Sequence, residues 1–484
     1  MQVVFGPYAP DRGVVTPGIL VTANNVLPIP DGYGPAPTMV LPGTGDALPG
    51  APRGMVTTVK RDGTSQIYAF TVDSLYALAA DYTFVLVDSG YSCTPGDDWS
   101  AVQFGDYLLY TNTTDGMWAY NIELGGAPSY ISAAGDPRQI FVNANMVFGL
   151  DCKDNSGNRN NRLIRNSDFN DHTDWREGSS DQQPLESGAE LIAGVRLKGG
   201  AAITFQRESM RLIQFGNAGG GALYSLQEIA EGRGSAGARS VIGFDGVVYF
   251  LSTNGFWQFS SGGLVPIGDG FVDKYFLNLV PTLELKDVQA TIDPFRKIVL
   301  WLYPAGDLVL GYNWAPSVTN RWFTWSSTST YLTRLATSGY TWDAAGAIWA
   351  TWDDMPEIAF DDRFWQGGQQ FLAALDNNFM LNTYAGPNAA ATLRTSTQPS
   401  PVSGMITWAT SVDDCATSTL RLGVSDTLST AITQKSPEGK VASGRTPLRG
   451  RGKNIDFEFN TPAGDMWTYA FGIDFITAAT GGVR

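Results

Sequence analysis

Between about residues 55 and 395, short apolar runs rich in β-branched and aromatic side chains alternate with turns of Asp, Gly and Asn, and helical spacing is almost absent. Ile67-Tyr68-Ala69-Phe70 leads to Ser74-Leu75-Tyr76-Ala77-Leu78, and Phe84-Val85-Leu86-Val87 follows a short polar break. Tyr107-Leu108-Leu109-Tyr110, the turn Thr114-Asp115-Gly116 and Met117-Trp118-Ala119-Tyr120 read as a hairpin by their Asp-Gly signal. Val247 to Leu251, Thr253-Asn254-Gly255 and Phe256 to Phe259 repeat the design. Strand pairs that recur every forty or so residues are the signature of propeller blades, and this span accommodates roughly six to eight blades at ~40 to 45 residues each. The pattern predicts an all-β protein with a β-propeller at 55–395.

The two ends read differently. Residues 1–54 hold ten of the 26 prolines. Pro28, Pro30, Pro35, Pro37, Pro42 and Pro49 fix φ and remove backbone donors, which predicts an extended arm that cannot enter a central sheet. A disordered leader is the alternative, but Ile19, Leu20, Val21, Val26, Leu27, Val40 and Leu41 are apolar enough to dock on a neighbour. Beyond the Ser- and Pro-rich stretch 395–403, Ile455 to Phe459 alternates, and Ile473 and Phe475 share a face. A separate small C-terminal sandwich at 396–484 is the simplest reading.

Composition narrows the chemistry. The 484 residues are 43% hydrophobic and 16% charged, which is globular. Lys and Arg number 32 against 47 Asp and Glu, a net charge of −15, and the last 89 residues are neutral, so the excess lies in the arm and propeller. A surface of that sign repels phosphate. No apolar run reaches the roughly 18 to 20 residues needed to cross a bilayer. The first ten residues lack a secretory signal, which predicts folding in the cytosol. Cys93, Cys152 and Cys415 are scattered and odd in number, as ordinary buried thiols are. Any triad or histidine metal centre would need the single ring of His172. The chain is therefore expected not to be an enzyme, with no catalytic residues and no cofactor.

Several local patterns invite sharper readings. Gly232-Arg233-Gly234-Ser235-Ala236-Gly237 has the spacing of a dinucleotide loop, but Ser240 to Phe244 reads as a strand where a helix is required, so a β-turn is expected. Asn166, Asp168, Asn170, His172, Asp174 and Glu177 fall at positions 1, 3, 5, 7, 9 and 12 of a calcium loop. Asp171 replaces the required glycine and no helices flank it, which favours a connection stapled by Asx turns and Trp175. The pairs Asp97-Asp98, Asp353-Asp354, Asp361-Asp362 and Asp413-Asp414 invite comparison with glycosidases. Adjacent strand residues point to opposite faces, so turn aspartates are expected. Lys435, Lys440, Arg445, Arg449, Arg451 and Lys453 form a glycine-spaced basic stretch without interleaved aromatics, and it suits an acidic protein partner or plain solvent better than nucleic acid. The 14 tryptophans allow sugar stacking, although most are expected in the core.

Several stretches carry a resemblance. Leu163 to Trp175, with Gly178 and Asp181-Gln182-Gln183, resembles a loop of tail proteins of short-tailed bacteriophages. Gln206 to Arg211, Ile229 to Gly237, Gly246 to Phe259 and Val265 to Gly268 follow in the family's order. Trp352-Asp353-Asp354, Phe360 to Trp365 and Ala373 to Asp376 continue it. The similarity spans roughly 140–390 with an echo at Arg449-Gly450-Arg451, and it departs at Asn166-Ser167, where that loop commonly has Trp-Ser. The family is the tail hub or nozzle, also called the DNA-stabilisation protein. The resemblance implies a virion protein, made in the host cytoplasm, whose propellers form a six-fold ring below the portal and adaptor, beside tail fibres or spikes. Such a ring encloses the exit channel and touches phage DNA only transiently. A propeller that binds or degrades polysaccharide is the alternative.

Overall fold

The computed structural model describes residues 1–478 apart from 44, 95, 219–221, 337–338, 367–369, 400–404 and 429–431, so part of the Ser- and Pro-rich link at 395–403 lies outside the described residues. Six antiparallel four-stranded units follow one another in sequence, at 54–89, 100–130, 139–184, 191–231, 241–266 and 289–326. A seventh contains Ser329–Ala336, Gln370–Asp376 and Leu381–Thr383. Each blade begins with its innermost strand. Those first strands pack on one another around the ring, and Ser329–Ala336 returns to Gly54–Val59. The protein is a seven-bladed β-propeller.

The anticipated hairpins form. Tyr107–Asn112 pairs with Gly116–Asn121, and Val247–Ser252 pairs with Gly255–Ser260. Gly116 has φ of 73°, a left-handed turn position that a side chain would strain. The Gly-rich run at 232–237 ends in a short turn of 3-10 helix and then the strand Val241–Phe244, with no helix of the kind a dinucleotide loop needs. All three cysteines are buried free thiols, and burial pushes Cys93 up to about 12.

The N-terminal segment departs from expectation. Instead of an extended arm, residues 2–35 contain four strands, Gln2–Val4, Leu20–Asn24, Val26–Ile29 and Gly32–Pro35. Leu20–Asn24 enters the interior of a sheet, between Trp322–Ser326 of the sixth blade and Ala391–Thr395. It is free of proline, whereas Pro28 lies in a sheet-edge strand, where a missing donor costs least. Further along, Val40 exchanges backbone hydrogen bonds with Thr383, at 2.9 and 2.8 Å, and so supplies the outer position of the three-stranded seventh blade. The segment binds its own chain where a docked arm on another subunit was anticipated.

The C-terminal region is likewise not a separate unit. One sheet joins Gln2–Val4, Val26–Ile29 and Gly32–Pro35 to Ala470–Ala478, Met405–Asp413 and Gly450–Arg451. The other continues from the sixth blade through Leu20–Asn24 to Ala391–Thr395, Asn454–Thr461 and Thr419–Ser425. A single apolar cluster runs from Phe256, Trp301 and Trp322 of the propeller to Phe5, Leu393, Phe457 and Ile473 of the sandwich. Propeller and sandwich therefore share one core. Among the described residues no helix is long and apolar enough to cross a membrane.

Candidate functional site

The aspartates of the loop at 166–177 are held by neighbouring backbone groups. Asp168 accepts hydrogen bonds from the N–H groups of Phe169 and Ser179, at 2.8 and 2.7 Å, which hold its carboxyl below the usual range. Asp171 accepts from the backbone and hydroxyl of Thr173, and Asp174 from the backbones of Arg176 and Glu177. Asn166 is buried and donates to Ser167 and Ser179 carbonyls, while Asn170 takes a left-handed φ of 59°. His172 packs at a tilt against Tyr107 with ring centroids 4.3 Å apart, and buried Trp175 donates to the His172 carbonyl. The Asp168, Asp171 and Asp174 carboxylates that a calcium ion would need thus accept backbone donors, while the buried Asn166 side-chain oxygen has no hydrogen-bond partner. Among the described residues no group of three or more His, Cys, Asp or Glu could hold a metal ion.

Burial pushes the His172 pKa below its ordinary value of 6.5. A group neutral in the fold but protonated in the unfolded chain contributes stability above its unfolded pKa, and this is lost as pH falls below about 6.5. Asp273, pushed up to about 6 by burial, acts in the opposite sense, favouring the fold as pH falls. The expected result is therefore differential. Between pH 7.5 and 5.5, about the window of both groups, urea unfolding of the native chain should lose more stability than that of His172→Gln. Parallel profiles would exclude His172 as a contributor.

Nothing in the sequence marks a charged recess of about 110 Å³ beside the starts of the innermost strands. Its residues come from the segments that lead into innermost strands of successive blades: Asp97 and Asp98, Arg138, Glu190, Arg239, and Lys286 with Asp287. Arg239 lies 3.1 Å from Asp98, Arg207 lies 2.9 Å from Glu190, and Arg138 lies 3.7 Å from Asp97. Asp97 also accepts from the Thr113 backbone at 2.9 Å. Burial raises the Asp98 carboxyl against the opposing pull of Arg239. Arg239 with Asp98 and Arg138 with Asp97 cross blade boundaries and tie the inner ends of blades together, whereas Arg207 and Glu190 pair within the fourth blade. No periodicity reveals the pairs between blades, because they meet only when the ring closes.

The other aspartate pairs also separate. Asp413 holds Lys440 at 2.7 Å, while Asp414 accepts from the backbones of Thr468 and Tyr469. Asp353-Asp354 and Asp361-Asp362 belong to an insertion in the seventh blade between Ser329–Ala336 and Gln370–Asp376, which carries the helices Trp342–Ile348 and Arg363–Gln366. Trp349, Ile358 and Phe364 anchor the insertion in an apolar cluster with Leu335 and Phe371. On that base Trp342, Trp352 and Phe360 stand 68%, 69% and 61% exposed, with ring centroids 5.8 to 6.2 Å apart. Residues 340–362 include six acidic side chains and no Lys or Arg. Trp-Asp-Asp and Phe-Asp-Asp were visible in the sequence, but nothing there distinguished an exposed ring from a core ring.

The basic stretch occupies the sandwich. Lys440 is engaged by Asp413, and the Arg445 guanidinium lies over Trp408 at 4.3 Å. In Arg449-Gly450-Arg451-Gly452-Lys453 the three cations are exposed and alternate with buried glycines. A side chain at 450 would meet Leu422 at 2.6 Å, so glycine lets this edge approach Thr419–Ser425 and aims the charges outward. Lys435 is exposed as well.

No family model and no curated protein matches the chain. Solved β-propeller structures are similar to it. Virginiamycin B lyase from Staphylococcus aureus is 12% identical over 57% of this chain and 83% of that chain, with a TM-score of 0.37. A streptogramin B lyase is 12% identical over 57% and 84%, with a TM-score of 0.38. The N-terminal domain of Nup159 is 14% identical over 53% and 72%, with a TM-score of 0.31. Two of these carry the names of lyases, which corrects the inference from a single histidine that the chain is not an enzyme, since folds of this kind include enzymes. At such identities the likeness extends to the fold alone, a β-propeller.

Proposed function

We propose that the protein is a structural component of a short-tailed bacteriophage tail, a nozzle or hub subunit that assembles as a ring around the DNA exit channel below portal and adaptor. Its place would be the virion tail, after synthesis in the host cytoplasm. The observation that carries this reading is the distribution of charge on a rigid wall. All of the net −15 belongs to residues 1–395, while the remainder of the chain is neutral and presents an outward cationic row. A lumen of acidic propellers repels phosphate and releases few counterions, so DNA slides without adhering. The quoted family stretches supply the tail context, and they fall on the third, fourth, fifth and seventh blades.

The mass of the purified protein, with its electron-microscope image, tests the proposal. Rings of several copies are expected, alone or with adaptor added. A compact 52.1 kDa monomer in every condition would remove it.

A second reading is favoured by one observation, the three exposed rings of the seventh-blade insertion. Clustered exposed aromatics flanked by carboxylates suit a sugar face, so a tail-associated polysaccharide-binding or polysaccharide-degrading propeller is the alternative. Retention on a glycan array, lost in Trp342→Ala, would favour it; signal at background throughout would dismiss it.

A further inference from the structure

Resting on the ring reading above, we propose that the acidic aromatic platform of one copy docks on the cationic edge of the sandwich of the next, so that this pair of surfaces forms the subunit contact. Trp342, Trp352 and Phe360, each about two-thirds exposed, leave roughly 300–500 Å² of contiguous aromatic surface in water, given the areas such rings usually bury. That is comparable to the largest apolar patch of a typical monomer, and such patches mark interaction sites. The platform is held in place from below. Buried Trp349 and Phe364 pack against Tyr340 and Trp365, and Phe360 lies 5.7 Å from Trp365, so the outer rings are positioned before a partner arrives.

The charge around these rings selects the partner. Asp343, Asp353 and Asp361 directly follow the three exposed rings, and all three are exposed. The occupant must therefore offer cations beside apolar surface. The same chain carries such a face. On the sheet that holds Met405–Asp413, Trp408 pairs with Ile476 and Met405 with Arg451. Arg445 covers Trp408, Ile476 is 47% exposed, and Arg449 and Arg451 project into solvent. Arginine beside aromatic rings is a favoured interface chemistry, through cation–π contact and paired charge.

Both faces are exposed within one copy, so they do not cover each other. Different patches on each subunit make a heterologous contact, which closes into a ring or grows into a filament. The contact should also weaken with salt, since its charges are exposed.

The test is a charge exchange in the full chain, with light scattering to read mass and circular dichroism to verify folding. Asp353→Lys with Asp361→Lys forms one variant, and Arg449→Glu with Arg451→Glu forms the other. Each alone is expected to weaken self-association at least tenfold, a loss of about 1.4 kcal/mol or more. Mixing them should restore a complex, because the reversed faces complement one another between different copies. Folded variants that assemble like the native chain, or a mixture that stays dissociated, would overturn the contact. Capture of a glycan by the platform without self-association would overturn it equally. Rings that persist in both variants would sink this contact and leave the nozzle reading intact, whereas restored pairing into open filaments would keep the contact and remove the nozzle.

Discussion

A chain shortened to begin at Gly54 is expected not to fold cooperatively. Phe5, Tyr8, Leu20, Val26 and Tyr33 are buried in the cluster that propeller and sandwich share. At roughly 1.5–3 kcal/mol for each large apolar side chain, their loss amounts to about 8–15 kcal/mol, the whole net stability of a typical protein. Deletion also strips Trp322–Ser326 and Ala391–Thr395 of the strand between them and takes the outer position from the seventh blade. The measurement is near-ultraviolet circular dichroism through a thermal scan. A shortened protein that melts sharply at the native temperature would show that the N-terminal strands are dispensable.

Asp293→Ala should have the next largest effect. The Asp293 carboxylate is fully buried at the end of the sixth blade's innermost strand. It accepts from the backbones of Phe295 and Arg296 at 3.0 and 3.2 Å and from the Arg296 guanidinium at 2.9 Å, with Arg363 at 3.8 Å. Removing it leaves two mostly buried cations without their anion, and breaking a buried pair in this way costs about 3–5 kcal/mol. Because Arg363 opens the last helix of the seventh-blade insertion and lies 3.9 Å over Phe295, the damage should extend to the aromatic platform. Urea unfolding reads the stability, and protease cleavage within 340–366 reads the loosening. An unchanged midpoint would mean that solvent replaces the carboxylate without cost.

The blades were legible because their information is local. Asp115-Gly116 and Asn254-Gly255 fix turns, and alternation fixes faces, so hairpins and their repetition follow from neighbours in the chain. The N-terminal strands are not legible because prolines at 28 to 49 point to an arm, while Leu20–Asn24, which contains none, is the part that enters the sheet. Its partners lie some 300 and 370 residues away, and no pattern in the segment names them. The charged recess was hidden for the same reason, since Asp98 acquires Arg239 only through tertiary structure. The platform lies within twenty residues of chain, but nothing local tells that Trp342, Trp352 and Phe360 stay exposed while Trp349 and Phe364 are buried.

The joining of Gln2–Val4 to Ala470–Ala478 has a temporal consequence. Ribosomes add about 5–20 residues per second, so the first strand waits on the order of tens of seconds for its mate to be translated. Throughout that interval Leu20, Val26 and their neighbours remain uncovered beside a growing propeller, vulnerable to aggregation and open to chaperones. The first strand therefore cannot pair before residues 472–474 are made, and a nascent chain stalled before residue 470 should stay protease-sensitive at its front however much of the propeller has already formed.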